Sequence, residues 1–176
     1  MRIAMATVLR GWALVIQGEE TEGIVQLRQG LAVYRATGAE AFSTYYLALL
    51  TEAYTQGGQT EEGLSAVTEA LALVHKNDER WWEAELYRLK GVLLLQQTTP
   101  EERQAEICFQ QALDIAKCQY AKSWELWAAM SLSRLWQRQG KRNAARELLA
   151  PIYGWFTEGF DTVDLQEAKA LLEALA

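Results

Sequence analysis

Gly11–Leu31 reads GWALVIQGEETEGIVQLRQGL, and the same pattern returns three times further along the chain. Gly11 has counterparts at Thr51, Gly91 and Ser133, Leu14 at Tyr54, Leu94 and Trp136, and Gly18 at Gly58, Thr98 and Gly140. Gly23 corresponds to Gly63, Ala105 and Ala145, Leu27 to Val67, Phe109 and Leu149, and Leu31 to Leu71, Leu113 and Tyr153. The steps are 40, 40 and 42 residues for the first three columns and 40, 42 and 40 for the last three. The two extra residues therefore enter around Thr98–Pro100, in a loop, where added length costs little. Self-similarity at such a period marks a stack of like units.

The columns have a physical logic. Two of them hold only small residues, as a close crossing of two helices requires. The others hold large apolar residues that fill the space between neighbours. Each unit reads as two helices, A and B, around the turn column. Gln17-Gly18, Gly57-Gly58 and Gln139-Gly140 supply glycine at helix ends. Thr60 followed by Glu61 and Glu62 reads as an N-cap with acids in the first turn. Thr99-Pro100-Glu101-Glu102 has the spacing of a capping box with proline at the first helical position. Thr37-Gly38 and Asn77-Asp78 break the pattern between units. A ninth helix follows, with Asp161 as its expected cap, Asp164 in its first turn and a buried stripe of Leu165, Ala168, Leu172 and Leu175. In the last unit Pro151 predicts a kink or an early end near residue 150.

Composition agrees with an all-helical chain. Of 176 residues, half are apolar and only two are proline, so the chain can bury a core. Runs of β-branched residues at period two are missing. A net charge of −6 repels the phosphate backbone and anionic surfaces, which disfavours nucleic acid and membranes as partners. No apolar run reaches spanning length and no secretory signal opens the chain. Cys108 and Cys118 fall in one predicted helix, about 15 Å apart along its axis, and cannot bridge each other. A reducing, cytoplasmic setting is the simplest reading.

The pattern Gly11…Gly23…Leu27…Gly30 resembles the tetratricopeptide repeat, and so does Gly91…Ala105…Phe109…Ala112. The usual tetratricopeptide period is shorter, and the longer helices here look like the MalT-like class of large bacterial signalling proteins. ERWWEAELYRLKG at 79–91 and YGWFTEGFDT at 153–162 are similar to the C-terminal region of multidomain bacterial adenylate/guanylate cyclases and predicted ATPase proteins. The resemblance implies an all-α fold: a right-handed superhelix, or α-solenoid, of four tetratricopeptide-like helix pairs plus a C-terminal capping helix. One domain spans 1–176, with repeats at about 2–37, 40–76, 79–118 and 122–157 and the cap at 161–176. It implies a sensor or scaffold arm and brings no catalysis with it. The chain has no P-loop signature and no room for a cyclase domain.

Nothing in the residues argues for an enzyme. His75, the only histidine, has no partners at metal-ligand spacing. Neither cysteine has a histidine to activate it. No cofactor or metal is expected. In tetratricopeptide arrays helix A lines the concave groove, and the register places Trp12, Tyr45, Glu52, Glu85, Arg88, Trp127 and Arg134 there. Aromatic anchors mixed with paired charges suit an extended protein segment or a partner helix. Phe42, Trp82 and Trp124 share a column at the start of helix A and read as inter-repeat packing. Arg134, Arg138, Lys141, Arg142 and Arg146 form a basic run, which acids of the last helix, Asp161, Asp164 and Glu167, are placed to neutralise.

Ile3, Val8, Leu9 and Trp12 have no preceding repeat to cover them, whereas the start of a solenoid should carry a polar cap. The expectation is a piece of a longer array, or self-association through this face. The function expected is a protein-interaction or scaffold module that holds a partner protein or other domains of its parent chain. The alternatives are an oligomerisation unit that pairs through repeat 1 and a small-ligand sensor.

Overall fold

The computed structural model describes residues 2–176, and among these the chain is all-helical, with nine α-helices and no strand. Four antiparallel pairs follow one another: α1 (Arg2–Ile16) with α2 (Glu20–Ala36), α3 (Ser43–Gln56) with α4 (Thr60–Asn77), α5 (Glu83–Gln96) with α6 (Glu102–Cys118), and α7 (Lys122–Arg138) with α8 (Arg142–Tyr153). A short 3-10 turn, Arg80–Trp82, leads into α5, and α9 (Val163–Ala174) packs on the last pair. The architecture is an α-solenoid.

The small columns lie where each pair crosses. A methyl group on Gly11 would sit 2.7 Å from the carbonyl oxygen of Gly23 and from the amide of Leu27, both backbone atoms that cannot yield. On Gly91 it would strike the Phe109 ring at 2.5 Å. In the fourth pair the column holds Ser133, whose hydroxyl donates to the Ala145 carbonyl across the crossing (3.1 Å). The large column is fully enclosed: Leu27, Val67, Phe109 and Leu149 are at most 1% exposed.

One backbone hydrogen bond repeats in every pair and sets where helix B begins. The amides of Glu19, Gln59, Glu101 and Lys141 donate to the carbonyls of Leu14, Tyr54, Leu94 and Trp136 at 2.8–3.1 Å. In the third pair the two extra residues are looped out between Leu94 and Glu101 while this bond is kept. It also corrects two expected caps. Thr60 is the first residue of α4, not its cap, because Gln59 holds the capping position. Thr99 and Pro100 lie before α6, which begins at Glu102. No side chain caps α2 to α9, and at α2, α4, α6 and α8 the turn has already fixed the entering backbone.

α8 ends early, as Pro151 predicts, and α9 brings two further corrections. α8 runs through Pro151 and ends at Tyr153, 12 residues long against 17 for α2 and α6, and Ile152 still reaches the core. Asp161 lies outside α9, which starts after Thr162. Its buried side is Leu165, Ala168, Leu171 and Leu175, with Leu172 only half-buried.

Successive pairs are joined by rings as well as by aliphatic packing. Trp82 stacks obliquely on Tyr45 (5.0 Å between centroids) and on Trp124 (5.3 Å), while Trp81 meets Phe42 edge-on at 6.1 Å. Glu79 ties the second unit to the third, accepting from the Phe42 amide (2.9 Å) and the Thr44 hydroxyl (2.7 Å). Between units the chain turns through a left-handed residue at Gly38, Asp78 and Tyr120.

A cavity on the concave face

The A helices are the ones that face the hollow of the superhelix. All seven groove residues expected from the register, Trp12, Tyr45, Glu52, Glu85, Arg88, Trp127 and Arg134, line one cavity of about 400 Å³. Six of them come from two columns of the repeat, and Arg88 from a third. Trp12, Glu52 and Arg134 are equivalent positions on α1, α3 and α7, and Tyr45, Glu85 and Trp127 are equivalent on α3, α5 and α7. Identical places in a repeat thus deliver rings at one point and charges at another.

Six lining residues were not expected: Leu49, Met130 and Ser131 fill the floor between the expected ones, and three others add rings or charge. Trp82 had been read as packing, and it both packs and lines the cavity. Asp164 and Glu167 come from α9, which folds back against α7 and brings its first turn over the hollow. Their spacing of three residues, on one helical face beside the apolar stripe, was the available signal.

The charges inside are arranged in pairs. Arg88 donates its Nε to Glu85 Oε2 (2.8 Å) and its Nη2 to Glu85 Oε1 (2.6 Å), a bidentate pair with Glu85 only 3% exposed. Burial works against the charge on Arg88, yet Glu85, Glu52 and Asp164 outweigh it and hold the guanidinium above its ordinary pKa. Arg134 Nη2 reaches Glu167 Oε2 at 2.7 Å, so one acid of α9 does neutralise the head of the basic run. Lys141 lies 3.8 Å from Glu106, and Arg142 donates to the Ala174 carbonyl. Glu52 differs from the other acids. Burial first, then the nearby charge of Glu85, push its carboxyl up to about 7, with Arg88 pulling the other way. The indole N–H groups of Trp82 and Trp127 are enclosed and have no acceptor.

The remaining chemistry-bearing residues lie elsewhere. Cys108 is buried in α6, and burial raises its thiol pKa, while Cys118 is exposed at the end of the same helix. His75 is exposed near the end of α4. Among the described residues no group of three or more His, Cys, Asp or Glu could hold a metal ion, and no helix is long and apolar enough to cross a membrane.

No family model matches the sequence, and no curated protein matches it closely. Solved structures do match in shape. A crystal structure of nearly identical TPR-like repeats from Podosopora anserina, described as kinesin light chain, superposes with a TM-score of 0.72 at 17% identity, over 97% of this chain and 84% of that one. A single-substitution variant of those repeats gives 0.71 at 17% identity, over 97% of this chain and 92% of that one. The shared feature is the TPR-like fold.

Proposed function

We propose that the chain is a non-catalytic protein-interaction module that holds a segment of a partner protein, or of its own parent chain, in the concave cavity. The observation that carries this is the convergence of four aromatic rings and six charged groups from α1, α3, the turn before α5, α5, α7 and α9 on one hollow. Repeat solenoids use such concave faces for binding, and rigid rings with bidentate arginine are the usual anchors of peptide recognition. The resemblance of 79–91 and 153–162 to multidomain bacterial cyclases and ATPases favours a cytoplasmic regulatory or sensor arm of a larger signalling protein.

The test is selection of a displayed random-peptide library on the chain, followed by NMR mapping of the enriched peptide. Shifts at the Trp12, Trp82 and Trp127 indoles support the reading. An enriched peptide that moves only resonances of α2, α4 or α6 sinks it. Arg88→Ala is not a clean probe, because it strands Glu85 as a buried, unpaired charge.

A second reading rests on a separate observation. Ala6, Leu9, Arg10 and Ala13 face outward on α1, at positions occupied on α3 by Tyr46, Leu49, Leu50 and Ala53, all of them buried. A second copy of the chain seated on that face would make the module an oligomerisation unit. Sedimentation velocity across a hundredfold concentration range tests it, and a single monomeric species throughout would end it.

A further inference from the structure

We infer that the concave cavity seats a basic side chain, the ammonium or guanidinium end of a lysine or arginine on the bound segment; this rests on reading the cavity as the seat of that segment.

The argument is one of charge pairing. Four carboxylates (Glu52, Glu85, Asp164, Glu167) and two guanidinium groups (Arg88, Arg134) line the cavity. Both arginines are already engaged. The fork of Arg88 is filled by both oxygens of Glu85, and Arg134 is held by Glu167. A filled fork is a poor anchor for an incoming anion. Glu52 and Asp164 have no hydrogen bond or ion pair among the described residues. The lining thus carries two carboxylates beyond its internal pairs. An acidic group entering the cavity would be repelled by both, and a cation would be attracted.

The walls agree with the charge. Trp12, Tyr45, Trp82 and Trp127 present rings to the same space, and ring faces attract cations. Lysine and arginine also carry an apolar stem, which such walls cover while the head reaches a carboxylate. A hollow of about 400 Å³ admits one long side chain.

Glu52 is placed to act as the counter-ion of an entering cation. It is half-buried, and with its pKa near 7 it keeps a proton at neutral pH for part of the time. The charged groups facing it are Glu85 and Arg88 from α5, Arg134 from α7, and Asp164 and Glu167 from α9, while α1 contributes only the uncharged Trp12. An arriving ammonium would drive the proton off, so binding should tighten as pH rises through 7.

The experiment titrates four capped amino acids, the N-acetyl N-methylamides of lysine, arginine, norleucine and glutamate, into ¹⁵N-labelled chain while the indole signals of Trp12, Trp82 and Trp127 are followed. The expected result is millimolar binding of the lysine and arginine probes, about tenfold tighter than norleucine or glutamate, an order set by ring and carboxylate contacts together. With a carboxyl near 7 that must ionise, affinity at pH 8 should exceed that at pH 6 by about tenfold. Glu52→Gln should remove most of the preference and its pH dependence. Asp164→Asn, at an exposed position of α9, should give a smaller loss and serves if Glu52→Gln disturbs the fold. Equal binding of norleucine and lysine, preference for glutamate, or no indole shift from any probe at pH 8 each overturns the inference. The groove reading survives these outcomes if selected peptides still map to the cavity, and falls only if they do not.

Discussion

The two ends of the solenoid treat their outer surfaces in opposite ways. On α9, buried leucines face α7 and α8, and Gln166, Lys169 and Glu173 face outward. On α1 the outward side carries Ile3 (82% exposed), Leu9 and Ile16, and the helix contains no acid at all. The row Ala6, Leu9, Arg10, Ala13 recurs as Tyr46, Leu49, Leu50, Ala53 on α3 and as Leu86, Leu89, Lys90, Leu93 on α5, where it lies against the preceding pair. Whether an apolar residue is buried in a solenoid is thus decided by its neighbour in the stack, since each unit completes its core only against the next. The ends also differ at the cavity: α1 contributes one ring, Trp12, and α9 two carboxylates, Asp164 and Glu167.

The comparison breaks most sharply at the closed end. Leu165 is 4% exposed in the cluster that also holds Leu135, Leu149 and Ala168. Leu165→Asp removes a core side chain and places an unpaired charge there, and should cost about 3–5 kcal/mol in urea unfolding. Because α9 carries Glu167, loosening it also releases Arg134 from its partner. A loss under about 1 kcal/mol would mean that α9 does not close the stack in the way its packing indicates.

Between the ends lies Glu52, and the effect expected there depends on pH. An ordinary glutamate titrates at 4.5, and Glu52 in the fold at about 7. Over that interval the folded chain holds a proton that the unfolded chain has lost. Stability therefore falls as pH rises from about 4.5 to 7 and levels off above, by up to about 3 kcal/mol. Glu52→Gln should be more stable than the parent by about 2–3 kcal/mol at pH 8 and should match it at pH 4. Denaturant midpoints at the two pH values decide the matter. An equal effect at both would show that the carboxyl is not the group being destabilised.

Much of this was legible in the sequence because the repeat sets both the core and the groove. The buried columns through Gly11, Gly23 and Leu27 and the seven cavity residues follow from one register, since a stack places equivalent residues in equivalent surroundings. What escaped was set by contacts that the register does not contain. Asp164 and Glu167 reach the cavity because α9 folds back, and no repeat column describes that helix. Thr60 and Thr99 looked like caps because local motifs were read without the hydrogen bond from Gln59 or Glu101 to the preceding helix, which fixes the turn. The left-handed turn at Tyr120 was hidden by its residue type, for an aromatic gives no turn signal. Val8 was placed with the uncovered residues of α1, yet it is fully buried, its amide and side chain against Gly30. On a helix three or four residues separate one face from itself, so Val8 and Leu9 point to different surfaces.

That one-residue difference gives the smallest and most discriminating prediction, at the open end. Ile3→Asp with Leu9→Asp alters side chains that are 82% and 46% exposed, so the stability of the single chain should change by less than about 1 kcal/mol. Val8→Asp, at 0% exposure, should instead unfold the first pair. If the α1 face holds a second copy, the parent chain should show a melting temperature that rises with concentration, as mass action requires of an associating fold. The Ile3→Asp/Leu9→Asp variant should then sediment as a monomer with a melting temperature independent of concentration. If parent and variant both remain monomeric and melt alike, the exposed row is not a self-association surface. The concave cavity would keep its own, independent case.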